Sequence, residues 1–238
     1  MRGLSNSSWR KGFNDGLAIG LGYLSVSFSF GIMAANDGLS WWQAVLISLT
    51  NLTSAGQVAG VGIMAAHGTL LEMALTQFII NLRYSLMGIS LSQKTDETMD
   101  TPRRLFTSYF ITDEIFGVAS SQDKVGFKYM TGLGILPVTG WTLGTLLGAV
   151  LGSILPPIVT NSLAIGIYGM FVAIVLPVCR KNKIIAIVSA ISIALSVAFR
   201  YTPVINEKVS SGFAIIICAV ISALIGVFIT PYKEEANG

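Results

Sequence analysis

The sequence is short of charge. Only 11% of its 238 residues are Asp, Glu, Lys or Arg, where an ordinary soluble domain carries roughly a quarter. A soluble fold of this length could not cover its surface with so few polar groups. Cysteine is nearly absent too. Cys179 and Cys218 lie in or beside apolar runs with no CxxC spacing, which excludes a disulfide framework and a zinc or redox pair. Histidine occurs once, as His67. There is no HExxH zinc motif and no Walker loop, and one loop histidine is thin support for a serine dyad. No enzyme, metal or cofactor is therefore expected, and without an ATP site any transport would have to be secondary or passive unless a separate subunit supplies energy. Residues 1–16 carry no cleavable signal pattern, and the 25 glycines show no collagen-like period.

What is there is hydrophobic sequence, 53% of the chain. A membrane-spanning helix needs about 20 apolar residues. Candidate runs are 17–35, 38–71, 73–92, a marginal 105–122 holding two acids, an uncharged 129–179 divided by "LPP" at 155–157, then 184–199 and 211–230. The run 38–71 is too long for one straight span and too short for two comfortable ones. The expected fold is an all-α polytopic integral membrane protein of seven or eight transmembrane helices with a broken or re-entrant second segment, forming one permease domain over residues 1–238. "GLGYLSV" at 20–26 returns as "GLGILPV" at 132–138. This marks either an internal repeat, with halves 12–122 and 129–230, or a chance match between Gly- and Leu-rich stretches.

Basic residues sit at the ends of the runs, which suits topology control better than nucleic-acid binding. With eight spans and the N-terminus inside, the inner side would hold Arg2, Arg10, Lys11, Lys124, Lys128, Arg180, Lys181, Lys183 and Lys233. The outer side would hold Lys94, Arg103, Arg104, Arg200 and Lys208. If the second run re-enters, every later loop changes side.

Ionisable groups at membrane depth are costly and usually face a cavity or a partner. Arg83 lies in "ALTQFIINLRYSLMGISLS", far from the charged flanks Glu72 and Lys94. At about 100° per residue, Gln77, Asn81, Tyr84 and Gly88 share one face, and Arg83 falls nearly opposite with Thr76 and Ser90. A helix polar on both sides should be enclosed by others. Arg83 could line a permeation path and hold a carboxylate, or could form a structural ion pair. Its natural partners are Asp113 and Glu114 in "YFITDEIFGVAS". Two adjacent carboxylates in low dielectric cannot both ionise cheaply, which suits proton coupling or an ammonium ligand. The other reading of 105–122 is an interfacial helix with solvated acids. In "SLTNLTSAGQVAG", Asn51, Thr53, Ser54, Gly56 and Gln57 interrupt apolar sequence. This reads as a broken helix lining a cavity, or as small-residue helix packing. Asp15-Gly16 opens the first run and reads as an interfacial N-cap.

The ordered motifs "GFNDGLAIGLGYLSVSFSFG", "SAGQVAG", "INLRYSLMGISLS" and "FITDEIFGVAS" together resemble the AzlC family of branched-chain amino acid exporters, the azaleucine-resistance permeases. The match covers at least residues 12–120. The resemblance implies a multi-pass permease of the cytoplasmic membrane that exports Leu, Ile or Val, with Met a further candidate. It implies drive by the proton gradient and a small AzlD-type membrane subunit as partner. It points to Asp15, Gly16 and Tyr23, to Ala55, Gly56 and Gln57, to Asn81 and Arg83, and to Thr112, Asp113 and Glu114. The family often has Pro where Ser25 stands and His where Tyr84 stands, so a proton relay here would fall to Glu114 or Asp113. The site expected from all this has Arg83, Asn81, Tyr84, Asn51, Ala55, Gly56 and Gln57 on the substrate. Asp113, Glu114 and Asp15 would couple protons or pair ions. The rival readings are a channel or transporter for another small solute, and a non-transporting scaffold subunit.

Overall fold

The computed structural model describes residues 8–152, 154–202 and 209–230. Arg2, Lys208 and Lys233 of the charge tally lie outside them. The described chain is helical throughout: α1 (Trp9–Asn36), α2 (Trp41–Thr50), α3 (Ser54–Ala65), α4 (Leu70–Ser92), α5 (Thr101–Ser108), α6 (Asp113–Ser120), α7 (Phe127–Leu151), α8 (Pro157–Ala164), α9 (Gly166–Lys181), α10 (Lys183–Tyr201) and α11 (Ser211–Ile229). Among the described residues, four helices are long and apolar enough to cross a membrane: α1, α7, α10 and α11. With 23 residues, α4 has the length, but Glu72, Arg83 and its side-chain amides make it more polar.

The marginal run 105–122 is not one helix. It is α5 and α6, eight residues each, with 109–112 between them. At about 1.5 Å per residue each is roughly 12 Å long. The acids explain the break. Thr112 caps α6, its hydroxyl accepting from the Ile115 N–H, and Asp113 and Glu114 fill the first turn, where carboxylates complement the helix dipole. The second run is broken as well, at 51–53 between α2 and α3. At "LPP", α7 stops before the prolines and α8 starts on Pro157, whose missing N–H costs nothing in a first turn.

The chain forms two compact units. The first, Met1–Val61 with Ile80–Ile167, is built on α1 against α7. Gly12, Gly16 and Gly20 of α1 and Gly132, Gly140, Gly144 and Gly148 of α7 each face the backbone of the opposite helix, the small-residue arrangement that lets helices touch. A Cβ at Gly16 would strike the backbone of Leu133, one at Gly140 that of Gly20, and one at Gly148 that of Phe28. Contacts advance in the same direction along both helices, so α1 and α7 run parallel. The stretches 20–26 and 132–138 lie on these two helices. Around the near ends, Tyr129, Met130 and Leu133 of α7 pack with Phe110, Ile115 and Leu91. Deeper, Tyr23, Leu52 and Trp141 form a second cluster, with the Tyr23 ring edge-on to Trp141 at 5.2 Å.

The second unit, Gly62–Ile79 with Tyr168–Gly238, pairs α10 with α11. Glu72, 3% exposed, holds the start of α11. Its Oε1 accepts from the Ser210 hydroxyl at 2.5 Å and from the Gly212 N–H at 2.9 Å. An acidic group on otherwise unpaired N-terminal amides is a cap supplied from a distant part of the chain.

Candidate functional site

The site of the first unit is assembled where α2 gives way to α3 and α5 to α6. Arg83 projects from α4 and its Nη1 lies 2.7 Å from Asp113 Oδ2. Its Nη2 donates to the Tyr84 hydroxyl at 3.1 Å, and the guanidinium lies 4.9 Å from the centre of the Tyr84 ring. Adjacent positions on a helix thus bring two long side chains together, although a wheel places them on different faces. The Arg83 Nε–H is buried, with no hydrogen-bond partner among the described residues.

Glu114 is held from α1. The Tyr23 hydroxyl lies 2.5 Å from Glu114 Oε2 and 2.7 Å from Thr112 Oγ1. Tyr23 is buried and stands midway along α1. A third connection joins the breaks directly, where the Tyr109 hydroxyl donates to the Leu49 carbonyl at 2.5 Å.

On the α2–α3 side the broken backbone is tied by side chains. Asn51 accepts from the Thr53 N–H at 3.2 Å, and the Gln57 amide nitrogen donates to the Asn51 carbonyl. The Gln57 carbonyl oxygen accepts from the Trp141 indole N–H at 3.1 Å. Ser48 bonds to Thr145 at 2.8 Å. Buried backbone groups freed by a helix break need such partners, because lipid offers none. Ala55 and Gly56 lie in the first turn of α3.

The structure therefore brings Arg83, Tyr84, Asp113 and Glu114 into one neighbourhood, with Asn51 and Gln57 at the facing break. Asn81 lies two residues before Arg83, partly buried. Asp15 stands apart and is not an N-cap. Ser8 caps α1, accepting from the Lys11 N–H at 3.2 Å, and Asp15, in the second turn, accepts from the Tyr129 hydroxyl at 2.8 Å. Residue reading also missed Ser48, Trp141 and Thr145. The one available signal was a Trp deep in an uncharged run, where a buried indole N–H requires an acceptor.

Four apolar helices of spanning length, with an ion pair and two interrupted helices in the first unit, define a helical membrane protein, in keeping with a permease. The chain belongs to the AzlC family, whose model, described as "AzlC protein", matches residues 18–155. It is 25% identical over 231 residues to the inner membrane protein YgaZ of Escherichia coli, covering 94% of this chain and 92% of that one. It is 29% identical over 199 residues to an uncharacterized membrane protein of Archaeoglobus fulgidus, with 82% and 88% covered. A Helicobacter pylori membrane protein is 24% identical over 144 residues, 58% and 62% of the two chains. No solved structure matches the chain.

Proposed function

We propose that the protein is a secondary transporter of the cytoplasmic membrane that exports branched-chain amino acids, driven by the proton gradient and assembled with a small AzlD-type membrane subunit. In this reading the chain is one multi-pass permease domain of eight membrane segments, two of them the broken α2–α3 and α5–α6, and its halves repeat the order of helices. Arg83 carries the assignment. Its guanidinium is paired with Asp113, and its buried Nε–H has no hydrogen-bond partner among the described residues. A buried donor without an acceptor is costly, and a zwitterion's carboxylate would satisfy it in a charge-assisted bond. Asp113 or Glu114 then takes the ammonium group or a proton. The first turn of α3, with Ala55, Gly56 and Gln57, completes the site at the facing break, the Gly56 and Gln57 N–H groups being held by the Thr53 hydroxyl and carbonyl.

The test is efflux of labelled leucine from preloaded vesicles, with and without a proton gradient, with the small subunit present. Gradient-dependent efflux is expected from the native protein. Arg83→Ala should lower it at least tenfold with insertion intact, and Asp113→Asn with Glu114→Gln should remove its gradient dependence. Normal efflux from Arg83→Ala would refute the site. Absence of leucine efflux, with a panel of other small solutes transported, would refute the substrate.

A further inference from the structure

We infer that the two broken segments of the first unit are re-entrant hairpins, which enter the membrane from opposite faces and meet tip to tip at its middle. The parallel pair α1 and α7 supplies the depth scale. Trp9 and Phe127 mark a near face, and Asn36 and Leu151 a far face.

Both ends of α5–α6 are fastened at the near face. Before α5, Thr98 Oγ1 accepts from the Phe127 N–H at 3.1 Å, and the Arg103 guanidinium lies 5.4 Å from the Phe127 ring centre. After α6, the Lys94 ammonium donates to the carbonyls of Ser120 and Gln122 at 2.5 and 3.3 Å. Backbone bonds stitch the two loops together, Asp96 N–H to Val125 O at 3.0 Å and Val125 N–H to Lys94 O at 2.8 Å. The Lys11 ammonium, in the first turn of α1, reaches Gln122 Oε1 at 2.5 Å. The turn between α5 and α6 lies deep, with Thr112 against Tyr23 midway along α1. Helices of about 12 Å reach the middle of a hydrocarbon core about 30 Å thick and return.

The α2–α3 segment starts from the far face. Along α2, Ser48 meets Thr145 and Leu49 meets Tyr109, and Leu52 packs on Tyr23 and Trp141. The chain then reverses. The Gln57 side chain returns to Ser48 Oγ, 3.5 Å away, and to the Asn51 carbonyl. Residues nine apart on a straight helix would be separated by about 14 Å along its axis.

Chain parity agrees. For α1 and α7 to run parallel, the segments between them must cross an odd number of times, and α4 alone supplies one crossing. The charges agree as well. Arg10, Lys11, Lys94, Arg103, Arg104, Lys124 and Lys128 all gather at the near face, while the far-face stretches 36–41, 151–152 and 154–157 have no Lys or Arg. The near face is therefore cytoplasmic. The loop 93–100 moves to the inner side, away from the outer side that eight full crossings would give it. This topology holds whatever solute the protein carries.

The experiment uses the full chain with Cys179→Ser and Cys218→Ser, and single cysteines at the exposed positions Asp37, Glu97 and Asp123. Each is labelled with a membrane-impermeant maleimide in intact cells and in inverted vesicles. Asp37→Cys should label from outside, and Glu97→Cys and Asp123→Cys only in inverted vesicles. Glu97→Cys labelling from outside while Asp123→Cys does not would mean that α5–α6 crosses, and would overturn the proposal. Labelling of Asp37→Cys and Glu97→Cys from the same face would overturn it for α2–α3.

Discussion

The Tyr23 hydroxyl and the Glu114 carboxylate stand 2.5 Å apart across 91 positions of sequence. The same hydroxyl touches Thr112, the cap of the helix on which Glu114 sits. One buried side chain on the longest helix thus sets both the start of α6 and the direction of its second acid. Tyr23→Phe keeps the ring against Trp141 and removes only these bonds. Transport should fall about tenfold, equivalent to about 1.4 kcal/mol, with unchanged amounts of protein in the membrane. Vesicle efflux normalised to inserted protein measures this. Unchanged efflux would mean that Glu114 does not need its partner.

The α1–α7 seam predicts a contrast between glycines. At Gly16 a side chain would run into the Leu133 backbone, whereas a Cβ at Gly22 meets nothing within 4 Å. Gly16→Leu should therefore abolish folded protein. Gly22→Ala should be neutral or raise stability by about 0.5–1 kcal/mol through helix propensity. Thermal unfolding in detergent, followed by loss of monodisperse protein, separates the two. Equal tolerance at both positions would contradict the packing.

Gln57 and Trp141 give a third expectation. Trp141→Phe leaves the Gln57 oxygen without its indole donor, at a cost of about 1–3 kcal/mol for a buried acceptor. Gln57→Leu removes the partner of the Asn51 carbonyl as well as that of the indole, so it should destabilise more. In the double variant the losses should fall short of additive, because both changes act on one network. Strict additivity of the three melting shifts would show that the residues act independently.

The membrane class was legible because it rests on bulk quantities, scarce charge and long apolar runs, which no local packing can reverse. The break at 51–53 was legible in its polar cluster. The ion pair was legible to the extent that Arg83 needed an acid and few lay within reach. The division of 105–122 was not foreseen, although Thr112-Asp113-Glu114 is a helix-start signal, because hydropathy averaging ran across it. Asp15 was placed about two turns wrong because Ser8, outside the apolar run, caps α1. The roles of Trp141, Thr145 and Ser48 could not be read, since each depends on which residues lie across the seam from α7.

The glycine seam also decides where movement can occur. Helices that interlock backbone to backbone cannot slide or roll without collision, so α1 and α7 form a stator. Within the first unit, a cycle that exposes the centre first to one side and then to the other falls to the short helices that lean on that strut, through the few side-chain bonds holding their tips to it.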